Sequence, residues 1–402
     1  MRVLHAWLEG TYVGRFIRSA DRHTVFEYAG DYPSSPISLS LPRNGRGTRK
    51  AAGNFLENLL PDNPAMREVM ARNTGAASTD VFDLLDHADT TGGLVFSSTE
   101  NMPVLEDEPP VLATDDEIAS RISTLNHAGT AWWESGLPSR FSLAGNQPKF
   151  TLARVGDDWY WPNAALPSTH IFKPESTHIK GAEMIEAASL RLGGLVGLPA
   201  PDAGVMNFED RHAYVVRRFD RAQRNGETIR VHVEDFMQSL GGASNTKYDI
   251  SAKRILRLLS DVDPSLEMSY EWLRRLAFNT SIANADAHAK NYSAMLRPGQ
   301  LSLSPLYDTI TTRYWPTFNQ NLAMPISGAV RPEQITPFHW AKLARQTGLD
   351  SDRAVTTAQK IAGAVVAHAP EAYEGLEAPM RGELLKIIAL ANARIEPKSP
   401  ET

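Results

Sequence analysis

The chain has 402 residues, 42% of them apolar and 22% charged, which are the proportions of a folded globular protein with room for two or three packed units. It has no cysteine, which excludes disulfides, zinc–thiolate sites and thiol nucleophiles, and its net charge of −6 argues against a surface that grips DNA unaided. No run approaches the roughly 18 apolar residues of a membrane span, and the start of the chain lacks a signal-peptide pattern, so a cytoplasmic protein with no membrane partner is expected.

The chain opens with β signals. Val3 to Leu8 is an apolar run, Glu9-Gly10 is a turn, and Thr11 to Phe16 resumes the strand pattern. Ile37 to Leu41 alternates with period two and predicts a half-buried strand. Asn54 to Leu60 has helical spacing and stops at Pro61. Residues 101–115 are acidic and Pro-rich and mark a first boundary. Phe150 to Val155 and Trp159 to Trp161 flank Gly156-Asp157-Asp158, which predicts a hairpin. His170 to Lys173 is a short strand ended by Pro174, and Ala213 to Val216 is another. Between them, Ala182 to Leu192 predicts a helix with Gly193-Gly194 as its stop. Beyond about residue 230, helical periodicity dominates: 253–259, 271–282, 353–367 and 382–395. A β-rich half followed by a helical half predicts an α+β, two-lobed arrangement.

Four features carry chemistry. Ser142-Leu143-Ala144-Gly145-Asn146-Gln147-Pro148-Lys149 precedes a strand, and its glycine lets backbone N–H groups approach phosphate. It lacks the Walker A spacing and also reads as a plain surface loop. Lys173 ends a short strand, where kinases place their phosphate-binding lysine, although a solvated strand end reads the same way. Asp286 and Asn291 in Asn284-Ala285-Asp286-Ala287-His288-Ala289-Lys290-Asn291 have the D-x-x-x-x-N spacing of a kinase catalytic loop, a pattern common by chance. Asp308 follows the strand-like Leu301 to Leu303 and offers oxygen ligands for Mg²⁺, without a Phe-Gly after it. The order of the four, loop, lysine, base and metal-binding pair, says more than any one of them.

With these stretches, Asn58-Leu59-Leu60-Pro61-Asp62, Val216-Arg217-Arg218-Phe219-Asp220-Arg221, Glu234-Asp235-Phe236 and Pro305-Leu306-Tyr307-Asp308 resemble the HipA family of type II toxin–antitoxin systems over about residues 3–395. The resemblance implies a two-lobed protein-kinase-like fold with a β-rich N-lobe and an all-helical C-lobe. Its expected segments are an N-terminal subdomain at 1–105, a kinase N-lobe at 106–216 and a C-lobe at 217–402. It implies Asp286 as catalytic base, with Asn291 and Asp308 holding Mg²⁺. Lys173 would contact the ATP phosphates, and Ala144, Gly145, Asn146, Gln147, Pro148 and Lys149 would cover them. Arg217, Arg218 and Phe219 would meet adenine through their backbone, and His288 and Tyr307 would line the nucleotide pocket. Ser142 would be an inactivating autophosphorylation site. Position 217 is Arg where the family often has an acid, and Asn284 stands where eukaryotic kinases have a histidine.

The implied activity is an ATP-dependent protein serine/threonine kinase toxin. It would phosphorylate a translation-related protein such as an aminoacyl-tRNA synthetase, and pair with a HipB-like antitoxin that carries operator DNA binding. A small-molecule or lipid kinase and a mainly corepressor role are the alternatives. Trp132, Trp133, Trp159 and Trp161 read as packing residues, and Arg43 to Lys50 as a solvated basic loop or a contact for DNA or antitoxin. Glu183 or Glu186 is a candidate partner of Lys173, or simply an acid favoured in a first helical turn. The eleven histidines show no metal-ligand spacing.

Overall fold

The first apolar runs form antiparallel strands β1 (Arg2–Leu8) and β2 (Thr11–Arg18), followed by β3 (Thr24–Tyr28). Gly14 has φ +145° and lies so close to Glu27 that an added Cβ would meet its carbonyl oxygen at 2.1 Å, so glycine alone fits there. The computed structural model describes residues 1–30, 36–45, 47–102, 109–129, 132, 141–143, 145, 147–163, 165–176 and 179–395. Strands β4 (Asp89–Thr90) and β5 (Leu94–Ser97) follow the helices α1 (Ala51–Glu57), α2 (Pro64–Thr74) and α3 (Val81–Leu84). The first sheet has the order β3-β2-β1-β5, and its apolar face packs with α1 around Phe16, Phe55 and Phe96.

A second, six-stranded sheet has the order β11-β12-β10-β8-β9-β6. Its members are β6 (Val111–Leu112), β8 (Phe150–Val155), β9 (Asp158–Trp161), β10 (His170–Pro174), β11 (Ala203–Phe208) and β12 (Arg211–Arg217). Helix α4 (Asp115–His127) begins with a capping box between Thr114 and Glu117, which satisfies the backbone donors at its start. The predicted hairpin is β8–β9. Trp132, Trp159 and Trp161 are buried, as packing residues should be, and Trp133 lies outside the described residues. The two-residue β7 (Phe141–Ser142) pairs in parallel with β4. Strands β13 (Arg221–Arg224) and β14 (Glu227–Arg230) form a hairpin, while β15 (Val233–Asp235), β16 (Ser293–Arg297) and β17 (Gln300–Leu303) form a third sheet.

Two local expectations are corrected. Residues 37–41 form bends and turns instead of a strand. Their backbone groups bond to side chains rather than to a ladder: Leu39 N–H donates to Glu234 and Ile37 N–H to the Tyr28 hydroxyl, while His232 Nε2 meets the Ile37 carbonyl. The alternation there records burial without a sheet. Nor do Gly193 and Gly194 stop their helix, because α5 (Ala182–Leu195) runs through both. An added Cβ at Gly193 would meet Leu306 Cδ1 at 2.4 Å, so this glycine serves close packing inside the helix.

The remaining helices are α6 (Phe236–Ser239), α7 (Ala252–Val262), α8 (Glu267–Ser281), α9 (Pro337–Thr347), α10 (Ser351–Ala372) and α11 (Ala378–Asn392). The chain divides into a unit of residues 1–180, 205–246 and 293–302, and a unit of residues 181–204, 247–292 and 303–402. The first is β-rich and the second helical, with α10 packed on α5, α8, α9 and α11. Membership therefore does not follow the consecutive segments 1–105, 106–216 and 217–402, because β13 to β17 find their strand partners in the first unit. Among the described residues, no helix is long and apolar enough to cross a membrane.

Candidate active site

The segment after α8 is fixed residue by residue. Ala283 turns the chain with φ 58°, and the Asn284 N–H and side-chain amide bond to the carbonyl and side chain of Asn279. The Asn284 oxygen then accepts from Asp286 N–H at 3.1 Å. Ala285 is held on both sides, its N–H by Thr312 Oγ1 and its carbonyl by Ala323 N–H. Asn284 is thus a buried brace, which gives this position a reason without a histidine. His288 N–H donates to the Asp286 carbonyl, and Asn291 N–H to the His288 carbonyl, closing the short turn Ala289–Asn291.

Within this helical unit three of the expected residues come together. Asn291 Nδ2 donates to Asp308 Oδ2 at 3.1 Å across seventeen residues of chain. Asp308 adopts φ 52°, a conformation that costs a non-glycine residue energy and recurs at functional sites. Tyr307 donates to the Lys290 carbonyl at 2.7 Å and ties the two segments. Burial raises the pKa of Asp286 and the Asp308 charge adds to this, against lowering by Tyr248 and Lys247. A carboxylate with raised affinity for a proton suits a general base. His288 is held neutral, with its pKa lowered to about 4 chiefly by burial and also by Lys247 and Lys290. Its Nδ1 is buried without a hydrogen-bond partner among the described residues.

Asp308 and Asn291 also fit a hard cation. Mg²⁺ favours oxygen, and usually takes one or two carboxylates with substrate phosphates and water. The bond between the two residues uses the amide nitrogen of Asn291, so the amide oxygen is not spent on it.

Other expected residues lie in the β-rich unit. Ser142 is fully buried on β7 beside Thr90, and its Oγ donates to the Leu59 carbonyl at 2.8 Å. Gly145 has φ +99°, and Lys149 Nζ lies 3.0 Å from where its Cβ would be, so the loop folds back on its own lysine. Gln147 and Pro148 are half-buried, and Lys149 is buried with its ammonium 4.8 Å from the Trp132 ring. Ala144 and Asn146 lie outside the described residues. Lys173 is 7% exposed on β10, paired with Tyr214 on β12. Glu183 and Glu186, by contrast, are buried on α5 in the helical unit.

Arg217 points to solvent and Phe219 is half-buried, but Arg218 turns inward. Its N–H donates to the Thr169 carbonyl at 2.8 Å, and its guanidinium grips Asp220 through Nε at 3.0 Å and Nη2 at 2.7 Å. Arg221 donates to Asp220 at 2.9 Å and to Asp89 at 2.7 Å, and Arg230 closes on Asp89. Burial raises the pKa of both acids, but the surrounding guanidiniums outweigh it: Asp220 falls to about 2 and Asp89 lies well below the usual range. The Arg218 side chain is therefore consumed by the fold.

Sequence reasoning missed Tyr248. Its hydroxyl donates to Asp286 Oδ1 at 2.7 Å, and its ring meets His288 edge-on at 5.0 Å between centroids. The segment Ala243-Ser244-Asn245-Thr246-Lys247-Tyr248 has neither helical nor strand periodicity, and an aromatic in so polar a turn was the one available signal.

The chain is similar to known proteins along most of its length. The family model described as "HipA-like C-terminal domain" matches residues 141–369, and "HipA N-terminal domain" matches residues 4–97. The serine/threonine-protein kinase toxin HipA of Shewanella oneidensis is 28% identical over 368 residues, which cover 86% of this chain and 83% of that protein. A solved complex of HipA, HipB and operator DNA from Shewanella oneidensis matches with a TM-score of 0.82 and 25% identity, covering 98% of this chain and 96% of the other.

Proposed function

Because the chain belongs to the HipA family, we propose that it is an ATP-dependent protein serine/threonine kinase, the toxin of a toxin–antitoxin pair. The observation that supports this most is the convergence of Asp286, Asn291 and Asp308 on one braced loop system within the helical unit. Asp286 accepts the proton of the acceptor hydroxyl as its oxygen bonds to the γ-phosphorus and the bond to the departing ADP breaks. Asn291 and Asp308 hold Mg²⁺, which when bound offsets the charge gathering on the phosphates. Lys173 contacts the phosphates and the loop 144–149 covers them. The backbone of Arg217 to Phe219 meets adenine, with His288 and Tyr307 lining the pocket. The burial of Lys173 favours a dedicated anion partner over a solvated strand end.

Ser142 is the switch in this reading. Its hydroxyl is buried against Leu59, so it reaches a phosphate donor only after leaving that seat. A phosphoserine carries a charge of roughly −1.5 to −2, and it finds no place back in a buried pocket that offers a carbonyl oxygen. Phosphorylation then holds the loop out and switches the kinase off.

The partner is a HipB-like antitoxin, through which the pair meets operator DNA. The match to a HipA–HipB–operator complex supports this and also a corepressor role beside the kinase. The acceptor is a translation-related protein such as an aminoacyl-tRNA synthetase.

The test is to express the chain without antitoxin, supply labelled ATP and identify labelled species by mass spectrometry. Label is expected on a serine of one acceptor protein and on Ser142. Label confined to a lipid or a small metabolite supports the alternative kinase class. No label, with operator binding strengthened beside the antitoxin, supports the corepressor alone.

A further inference from the structure

The contact between Tyr248 and Asp286 has a consequence for how an acceptor enters. A base that takes a proton from a hydroxyl must receive it across about 2.6–3.2 Å. One oxygen of Asp286 already receives a hydroxyl at 2.7 Å, that of Tyr248. The two partners are held unequally. Asp286 is anchored through Asn284, and its neighbour Ala285 through Thr312 and Ala323. Tyr248 sits in a turn outside regular structure with 53% of its surface exposed. Its contacts include the edge of His288 and the Lys247 ammonium, 5.5 Å from the ring centre. When a second hydroxyl competes for Asp286, the tyrosine on its exposed turn gives way rather than the braced aspartate.

We propose that Tyr248 is a positioning residue that keeps the acceptor's place. Its phenol occupies the contact on Asp286 Oδ1 that an acceptor hydroxyl requires, and it swings out when a serine hydroxyl or a water takes that contact. This rests on Asp286 being the base. The tyrosine thereby makes water a poor acceptor, since water must displace the phenol without the binding energy that a protein acceptor brings.

Tyr248→Phe removes one oxygen from an exposed ring and tests the idea. ATP hydrolysis by water should rise roughly fivefold, the size of one partly exposed hydrogen bond to a charged group. The KM for dephosphorylated casein as acceptor should fall by a similar factor, while the KM for ATP stays unchanged. A fall in hydrolysis and casein transfer, or no change in either, overturns the proposal. So does phosphate found on Tyr248 of the native chain, because the phenol is then an acceptor itself. Asp286→Asn separates the two readings. Loss of hydrolysis there with Tyr248→Phe unchanged sinks the placeholder and spares the base. Full hydrolysis in Asp286→Asn sinks the base, and the placeholder with it.

Discussion

Asp220 and Asp286 are both aspartates set beside hydrogen-bond donors, yet their surroundings push their proton affinities in opposite directions. Asp220 is buried among two arginines and accepts the Gly92 N–H at 2.7 Å, and its pKa drops to about 2. Asp286 keeps an exposed face, has one tyrosine hydroxyl on Oδ1, and its pKa rises. The first acid is spent on folding: its charge is permanent and its geometry closed. The second is held with its charge poised and its contact exchangeable. An acid bound tightly on every side makes a poor base, and one left unsupported has no defined direction. The loop around Asp286 fixes the backbone and leaves the carboxylate partly exposed, as the proposed base role requires.

Breaking this contrast should give effects of different kind and size. The largest is on rate. Asp286→Asn should lower phosphoryl transfer by roughly 10²–10⁴-fold with Mg-ATP affinity nearly unchanged, as read by single-turnover kinetics and calorimetric titration. Undiminished turnover would remove Asp286 from the chemistry. Asp220→Ala should instead act on folding. It leaves Arg218 and Arg221 with an uncompensated buried charge and should cost about 3–5 kcal/mol in urea unfolding. An unfolding midpoint equal to that of the native chain would mean that Asp89 alone satisfies the cluster.

A third acid is buried like Asp220 but shifted upward like Asp286. Glu234 is buried, accepts from Leu39 N–H and Ser239 Oγ at 2.9 Å each, and has a pKa pushed up to about 7, mainly by burial. The folded chain keeps this proton up to about pH 7, whereas the unfolded chain loses it near its ordinary value of 4.5. Stability should therefore be greatest below pH 4.5 as far as this group is concerned, and fall by about 3 kcal/mol as pH rises through the window to 7. Glu234→Gln should flatten that slope and unfold at higher denaturant than the native chain at pH 8. An unchanged slope would show that Glu234 ionises as readily folded as unfolded. The smallest effect is expected at the exposed pair Arg15–Glu27, 3.0 Å apart. Arg15→Ala should change stability by less than about 1 kcal/mol, and a larger loss would mean that this pair contributes more than an ordinary exposed pair.

The sequence spoke clearly where a local rule decides the outcome. The apolar runs of β1 and β2, the hairpin β8–β9 and the periodic helices beyond residue 250 all follow from side-chain spacing. It misled where a distant partner decides. Ile37 to Leu41 alternates like a strand, but Tyr28, His232 and Glu234 capture its backbone groups, and no spacing rule announces them. Gly193 reads as a stop unless Leu306 is known to press against it. The spacing of Asp286, Asn291 and Asp308 stands in the sequence, but the hydrogen bond that joins Asn291 to Asp308 does not. That Arg218 and Asp220 bind each other was hidden, since the same letters suit a site or a strut. Tyr248 was invisible for the complementary reason: it reaches Asp286 from thirty-eight residues away, through a turn with no pattern of its own.

The chain crosses between its two units after Lys180, Gly204, Thr246, Tyr292 and Ser302. This matters for the order in which the protein is made. β15 has no partner until β16 has been synthesised, and α7, α8 and the loop bearing Asp286 come before it. A nascent or prematurely terminated chain thus carries Asp286 while the β-rich unit still lacks a strand of its third sheet. The strand pairings of the third sheet, and Asp308 after them, are available only once translation has passed residue 308 and the long-range pairings can close.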